Sequence, residues 1–138
     1  MTTRSADDWV SELIGAFNAH DAAAVGGFMT ADVEYVYWSD SGWTSLHGRE
    51  AVVALLQGFD EQWSSDFVLR PTFAVVTADG FAIEYTEQGT QDRGPRPSGR
   101  RFTLRNVMTG ELRSGKISRM TDYSDVIAYR TQTGTGAP

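Results

Sequence analysis

Hydrophobic and polar residues alternate along residues 98–125, and this alternation predicts one long β-hairpin. The apolar residues of its first arm are Phe102, Leu104 and Met108. Polar residues stand between them, which is the period of two expected for a strand with one buried face. Ser114-Gly115-Lys116 supplies a turn, and the chain returns over residues 117–123. The rest of the chain is expected to pack around this hairpin.

The same alternation brings polar side chains onto the apolar face of the hairpin. Asn106 belongs to the apolar set of the first arm, and Asp122 shares a face with Met120 on the return arm. A carboxylate is costly to bury unless it is paired or neutralised. Asp122 is therefore the first candidate for a functional residue.

A period of 3.6 residues predicts three helices. Ser5 and Asp8 form a capping pattern for the first helix, and Asp21 is expected to cap a short second one that ends at Gly26-Gly27. The third helix is predicted over Arg49–Trp63. The apolar faces of the first and third helices consist of Trp9, Leu13, Ile14 and Phe17, and of Val52, Leu55, Leu56, Phe59 and Trp63.

Three further strands are predicted, with turns between them. They are Val33–Ser39, followed by a turn at Asp40-Ser41-Gly42, then Phe67–Thr77, and Phe81–Gln88 after the turn Asp79-Gly80. Pro71 indicates an edge strand or a bulge, because proline cannot donate a hydrogen bond to a neighbouring strand. Residues 88–99 contain three glycines and two prolines and are expected to form a mobile, irregular loop.

Together these elements predict an α+β fold with a mostly antiparallel sheet whose apolar face is covered by the three helices. One domain is expected over residues 1–130, with a disordered tail over 131–138. The predicted inner face comprises Tyr37, Ile83, Tyr85, Leu104, Asn106, Met108, Met120 and Asp122. Glu84, Arg105, Thr109, Arg119 and Thr121 are expected on the other face. The pattern alone does not establish that the sheet curves around a pocket.

Composition narrows the classes of function. The 138-residue chain has a net charge of −6, which argues against a nucleic-acid or anionic-membrane partner. It has no cysteine, so disulfides and thiolate chemistry are excluded. No signal peptide or membrane span is visible, and a cytoplasmic location is expected. His20 is expected to cap a helix or to be solvated and His47 to lie in a turn, so neither predicts a metal site.

Three short motifs resemble the SnoaL-like polyketide cyclases and the limonene epoxide hydrolases of the nuclear transport factor 2-like superfamily. They are Ser98-Gly99-Arg100, Gly115-Lys116-Ile117 and the Asp-Tyr-x-Asp motif of residues 122–125. The resemblance covers residues 9–129. It implies a cone of curved sheet and helices around a deep pocket, and a homodimer.

The resemblance also implies roles for single residues. The working acid of both families falls at Asp122, which acts as a general acid/base in the cyclases and helps to activate a water in the hydrolases. The second carboxylate of the hydrolases falls at Glu87, whereas their arginine falls at Tyr85. Their water-holding tyrosine falls near Tyr37, and a polar partner of the cyclases falls at Asn106. The histidine of the cyclases falls at Met108, so the sequence matches neither site fully.

We therefore expect an enzyme that uses Asp122 and Glu87 in proton transfer on a small hydrophobic metabolite, such as a polyketide or terpenoid. Cyclisation, isomerisation and dehydration are the reactions considered. The residues expected to bind the substrate are Tyr37, Tyr85, Asn106, Met108 and Met120. No metal or organic cofactor is implied. Epoxide hydrolysis and non-catalytic binding of a small molecule remain the alternatives.

Overall fold

The computed structural model describes residues 6–39 and 41–135. The helices are α1 (Ala6–Asn18), α2 (Ala22–Gly26), α3 (Arg49–Gln62) and α4 (Val126–Thr133). The strands are β1 (Met29–Ser39), β2 (Gly42–His47), β3 (Val68–Val76), β4 (Gly80–Thr90), β5 (Arg101–Arg113) and β6 (Lys116–Tyr123). None of the described helices is long and apolar enough to cross a membrane.

The six strands form one curved sheet in the order β2-β1-β6-β5-β4-β3. Every neighbouring pair is antiparallel except β1 and β6, which run parallel. The fold is therefore α+β with a mostly antiparallel sheet, as predicted. The predicted hairpin forms its centre, because β5 and β6 are joined at Ser114-Gly115 and lie between β1 and β4.

The predicted division of the sheet into two faces is confirmed by the register of the strands. Met108 lies opposite Asp122 and Ile83, and Asp122 lies opposite Tyr37, so these four side chains share one face. Arg105, of the opposite parity, is exposed. The inner face packs against α1, α2 and α3 to form the main core, whose fully buried members include Leu13, Val25, Val52, Ile83 and Met108.

Pro71 lies where its missing amide hydrogen has the least effect. Strand β3 is at the edge of the sheet, and the register against β4 shifts between Pro71 and Phe73. The prediction of an edge strand or a bulge is confirmed in both respects.

The largest differences from the predicted strands concern β1, β2 and β4. Strand β1 begins at Met29 rather than at Val33. Strand β2 was not predicted, because its first residue belongs to the predicted turn, although residues 42–47 alternate in burial along an edge strand. Strand β4 continues to Thr90, and Gly89 pairs there with Phe102. Gly89 suits this position because an added Cβ would lie 2.8 Å from the Phe102 ring. The irregular loop is thus shorter than expected and begins at Gln91.

The side chain of Gln91 holds this loop together from within. It is buried, donates from Nε2 to the carbonyl oxygen of Arg93 at 2.9 Å, and accepts through Oε1 from the amide of Ser98. The Gly99 amide also donates to the Gln91 carbonyl oxygen at 2.9 Å. The mobility of the loop stays a prediction.

The prediction of a disordered tail from residue 131 is wrong for residues 131–133, which belong to α4. Asp125 caps this helix by accepting from the amide of Ala128 at 2.9 Å. Tyr129 and Thr133 are buried, and they anchor a helix too short and too polar for its periodicity to be visible in the sequence. Residues 136–138 and the predicted cap at Ser5 lie outside the described residues. The described part of the chain therefore has four helices, not three.

Candidate active site

Asp122 lies near the end of β6 on the inner face of the sheet, where it accepts hydrogen bonds from side chains on both sides. The Tyr35 hydroxyl donates to Oδ2 at 3.1 Å, and the Tyr85 hydroxyl donates to Oδ1 at 2.9 Å. The Ser124 hydroxyl approaches Oδ1 at 3.4 Å. Tyr35 comes from β1 and Tyr85 from β4, so the curved sheet brings three strands together at one carboxylate.

Glu87 is the second carboxyl group of the site. It follows Tyr85 by two residues on β4 and therefore points to the same face. It has no hydrogen bond or ion pair to any residue that the structure describes. Burial and the negative charge of Asp122 raise the pKa of Glu87 from 4.5 to about 8. Glu87 is thus mostly protonated at neutral pH.

The two carboxyl groups differ in what stabilises their charged forms. Burial also raises the pKa of Asp122, but the hydrogen bonds from Tyr85, Tyr35 and Ser124 oppose this rise. Burial and the charge of Asp122 raise the pKa of both tyrosines well above the usual value, so their hydroxyls stay protonated and donate. Asp122 is therefore the first member of the pair to ionise.

Two cavities adjoin these carboxyl groups. The outer cavity, of about 600 Å³, is bounded by α3, α4 and the inner face of the sheet. The inner cavity, of about 40 Å³, lies towards α1 and α2. Phe59, Phe67, Glu87 and Asp122 line both. The carboxyl groups thus stand at the boundary between a space of ligand size and a space that holds only a few water molecules.

Aromatic rings dominate the wall of the outer cavity. They belong to Tyr37, Trp38, Phe59, Trp63, Phe67, Phe102 and Tyr129. Tyr129 of α4 stacks on Trp63 with ring centroids 5.0 Å apart and meets Phe102 edge-on at 5.0 Å. Burial and the charge of Glu87 raise the pKa of Tyr129 to about 12. The cavity therefore suits a flat, largely apolar ligand that reaches the two carboxyl groups.

His20 lines the inner cavity, although it was expected to cap a helix or to be solvated. Its Nε2 atom lies 2.8 Å from the carbonyl oxygen of Phe67, and its Nδ1 atom contacts a carboxylate oxygen of Asp60. Its ring stacks on that of Phe67 at 4.0 Å. His20 adopts a φ of 55°, and its ring lies between Asp60 of α3 and Phe67, which immediately precedes β3. No sequence motif indicated this contact, because its three residues come from separate parts of the chain.

The other predicted site residues lie in different surroundings. Tyr37 lines the outer cavity, whereas Tyr85 and Met108 line the inner one. Met120 and Asn106 are buried, and neither lines either of the two cavities described above. Asn106 accepts instead from the amide of Asp125 at 3.0 Å, and it thereby holds the start of α4.

Tyr35 and Tyr129 were missing from the predicted site. Tyr35 could have been included, because it lies on the same face of its strand as Tyr37. The second belongs to the helix that was not predicted. Among the described residues, no group of three or more histidine, aspartate or glutamate side chains has an arrangement that would hold a metal ion.

Comparisons with known proteins place this geometry in context. The family model described as SnoaL-like domain matches residues 10–120. A search of curated protein sequences found no significant match. Many solved structures are similar, and those described below are all under 25% identical, so that they establish the fold alone.

One similar structure is a protein from Catenulispora acidiphila with a ketosteroid isomerase-like fold, in complex with trimethylamine. It is 20% identical, with a TM-score of 0.80 over 97% of this chain and 100% of that one.

A second similar structure, from Jannaschia sp. CCS1, is assigned to the SnoaL-like polyketide cyclases. It is 20% identical, with a TM-score of 0.76 over 99% of this chain and 100% of that one. A third, TerC co-crystallised with polyporic acid, is 19% identical, with a TM-score of 0.73 over 93% and 97%.

Proposed function

The chain belongs to the SnoaL-like domain family, and from this premise we propose that it is a small-molecule enzyme in which Asp122 is the general base and Glu87 the general acid. The observation that carries the proposal is the unequal environment of these two carboxyl groups at one cavity. Asp122 accepts tyrosine hydrogen bonds, whereas Glu87 accepts none from the described residues. Two titratable groups whose surroundings separate their pKa values are a usual arrangement for acid–base catalysis.

The reaction class is proton transfer next to a carbonyl group. Asp122 takes a proton from the carbon beside the carbonyl, and the electron pair of that C–H bond forms the C=C bond of an enol. Glu87 gives its proton to the carbonyl oxygen, so that no free enolate charge develops in the apolar cavity. With a β,γ-unsaturated ketone the dienol takes the proton held by Asp122 at its γ carbon and returns its hydroxyl proton to Glu87, which is isomerisation. Alternatively, the enol carbon attacks a second carbonyl carbon of the same molecule, whose oxygen takes the proton held by Asp122 as its π bond breaks, while the enol hydroxyl proton returns to Glu87, which is cyclisation.

The substrate is a small hydrophobic metabolite of polyketide or terpenoid type. The outer cavity supports this, because its volume of about 600 Å³ is in the range of common ligand sites and its wall is aromatic. The similar structures that hold trimethylamine and polyporic acid bind small molecules within the same fold.

A proton-exchange experiment tests the proposal before the natural substrate is identified. The protein is incubated in D₂O with a panel of monocyclic and bicyclic ketones, and deuterium entry beside the carbonyl is followed by NMR. Wild type is expected to accelerate exchange of at least one ketone, and Asp122→Asn to reduce that acceleration by roughly 10²–10⁴-fold. Glu84→Gln, on the same strand as Glu87 but exposed on the other face, is the matched control.

Two outcomes of this experiment would contradict the proposal. Ketones that bind, as seen by chemical-shift changes, without faster exchange would favour a non-catalytic binding protein. Exchange that is equally fast in wild type and in Asp122→Asn would exclude Asp122 as the base.

Epoxide hydrolysis is the second candidate, and the inner cavity favours it. The cavity has room for a few water molecules, and Asp122 and Glu87 line it on the side of the outer cavity. A water there would give a proton to Asp122 and attack one carbon of an epoxide held in the outer cavity, while the C–O bond of that carbon breaks and its oxygen takes the proton of Glu87. Incubation with cyclic epoxides in ¹⁸O-labelled water tests this, because hydrolysis places one labelled oxygen in the diol.

A homodimer completes the proposal. The outer face of the sheet carries exposed apolar side chains that a monomer leaves in water. Phe73 is 60% exposed and Trp43 53%, and Trp43 contacts Tyr123 edge-on at 5.5 Å. Burying this face against a second copy of the chain would remove these side chains from solvent.

A further inference from the structure

The carboxylate of Asp122 is held from two sides by hydroxyl groups that come from separate strands. Tyr35 of β1 donates to one oxygen at 3.1 Å, and Tyr85 of β4 donates to the other at 2.9 Å. Both tyrosines are almost fully buried, at 1% and 2% exposure, so packing fixes the direction of each hydroxyl. Each donor was therefore oriented when the sheet folded and does not have to be ordered when Asp122 becomes charged.

Glu87 offers the internal comparison. It lines the same two cavities as Asp122 and comes from the same face of the sheet, yet no described residue donates a hydrogen bond to it. The two carboxyl groups thus share their cavities and differ mainly in the two tyrosine hydroxyls. A hydrogen bond to a carboxylate favours its charged form over its neutral form.

We propose that Tyr35 and Tyr85 are positioning residues that select Asp122, rather than Glu87, as the ionised member of the carboxyl pair, and so set the direction of proton transfer. This inference rests on the proposed function and extends it by naming what assigns the two roles. Without the hydroxyls, one negative charge would be shared between two carboxyl groups of similar environment, and neither would have a fixed role.

Tyrosine suits this task because its hydroxyl is a donor that does not itself ionise here. The pKa values of Tyr35 and Tyr85 lie well above the usual value. Both hydroxyls therefore stay protonated across the range in which the carboxyl groups titrate. A histidine or lysine in either place would add a positive charge and lower the proton affinity of Glu87 as well as that of Asp122.

The geometry also identifies the oxygen that takes the proton. Oδ1 of Asp122 accepts from Tyr85 and is approached by Ser124, whereas Oδ2 accepts from Tyr35 alone. Each carboxylate oxygen has two lone pairs. Oδ2 therefore retains the freer lone pair for the proton of the substrate.

Other titratable groups face these cavities and stay unchanged in the test. They are His20, Asp21, Asp60, Asp125, Tyr129 and Arg130. Tyr37 provides the matched control, because it lies opposite Asp122 in the neighbouring strand and has a hydroxyl on the same face. It makes no hydrogen bond to Asp122, and its ring stands 5.7 Å from that of Tyr35.

The experiment is a ¹³C NMR titration of the aspartate and glutamate side-chain carboxyl groups, with no substrate present. Wild type is compared with Tyr35→Phe, Tyr85→Phe, the double variant and Tyr37→Phe. Each of the first two substitutions is expected to raise the proton affinity of Asp122 severalfold, and the double variant to raise it by tenfold or more. The proton affinity of Glu87 is expected to fall in the double variant, because Asp122 then carries less charge. Tyr37→Phe is expected to leave the titration midpoints of Asp122 and Glu87 unchanged.

An Asp122 titration that moves no further in Tyr35→Phe and Tyr85→Phe than in Tyr37→Phe would overturn the inference, even if both variants were less stable. If the double variant does not fold, the two single variants decide. The titration needs no turnover, so its outcome is independent of the proton-exchange experiment. If the Asp122 titration shifts in the tyrosine variants but no ketone exchanges faster, this inference stands and the proposed reaction is wrong. If a ketone exchanges faster but the Asp122 titration does not shift, the proposed reaction stands and this inference is wrong.

Discussion

Replacing Glu87 by glutamine is expected to stabilise the protein at neutral and alkaline pH. The side chain is partly buried beside Asp122, with no described residue donating to it. In the folded protein its proton is retained until about pH 8. Glutamine has nearly the shape of a protonated glutamate and cannot ionise, so that Glu87→Gln mimics the neutral form at every pH.

The size of the effect follows from the difference between the folded and unfolded pKa values. The folded chain holds the Glu87 proton with a pKa of about 8, against 4.5 for the unfolded chain. The folded state therefore binds more protons between these values, and the free energy of unfolding falls as pH rises through this window. One pKa unit corresponds to about 1.36 kcal/mol, so the free energy of unfolding is lower by roughly 3 kcal/mol at pH 7 and by about 5 kcal/mol above pH 8. This loss is large against the stability of an ordinary domain.

Urea unfolding of wild type and of Glu87→Gln from pH 4 to pH 9 measures this difference. The two free energies of unfolding are expected to run in parallel below pH 4.5 and to diverge above it, with the variant the more stable. Glu84→Gln is the control, since its glutamate is exposed on the other face of the sheet. A constant difference between wild type and Glu87→Gln across the whole range would refute the argument that Glu87 is buried in its neutral form.

Three further substitutions test other parts of the structure. Gly110→Ala places a Cβ 2.2 Å from the carbonyl oxygen of Arg119, and chemical denaturation is expected to show a loss of roughly 3 kcal/mol or more. Asn106→Ala removes a buried side chain and leaves the part-buried Asp125 amide without its acceptor, and the same assay is expected to show a loss of about 1–3 kcal/mol, with faster amide exchange in α4. Trp43→Glu adds a charge to the outer face and is expected to shift the proposed dimer towards monomer in analytical ultracentrifugation. A wild type that is monomeric, or a variant that remains dimeric, would contradict the proposed interface.

Local pattern was enough to predict the central hairpin and the faces of its strands. Side chains on a strand alternate, so one correct assignment, such as Phe102 on the inner face, also places Leu104, Asn106 and Met108. The return arm placed Asp122 in the same way. The two carboxyl groups of the candidate site could therefore be brought to one face from the sequence alone.

What the sequence did not predict depends on contacts between distant parts of the chain. The hydrogen bond from Tyr35 to Asp122 joins residues 87 positions apart, and it exists only because β1 runs parallel to β6. Helix α4 is eight residues long, and tertiary contacts of Tyr129, rather than its own periodicity, hold it on the sheet. His20 likewise lines the inner cavity because it contacts Asp60 of α3 and Phe67, which lie 40 or more residues further along the chain. Neither composition nor spacing carries this information.

The pH dependence of ketone proton exchange tests the central claim most directly, because it requires both carboxyl groups in their assigned states. The exchange rate is expected to rise as Asp122 ionises and to fall again around pH 8, where Glu87 loses its proton. Glu87→Gln, which can donate a hydrogen bond to the carbonyl oxygen but cannot give it a proton, is expected to exchange the ketone more slowly than wild type and without the alkaline fall. An exchange rate in wild type that continues to rise above pH 9, with the same slope in Asp122→Asn, would show catalysis by hydroxide and contradict the assignment of Asp122 and Glu87 as base and acid.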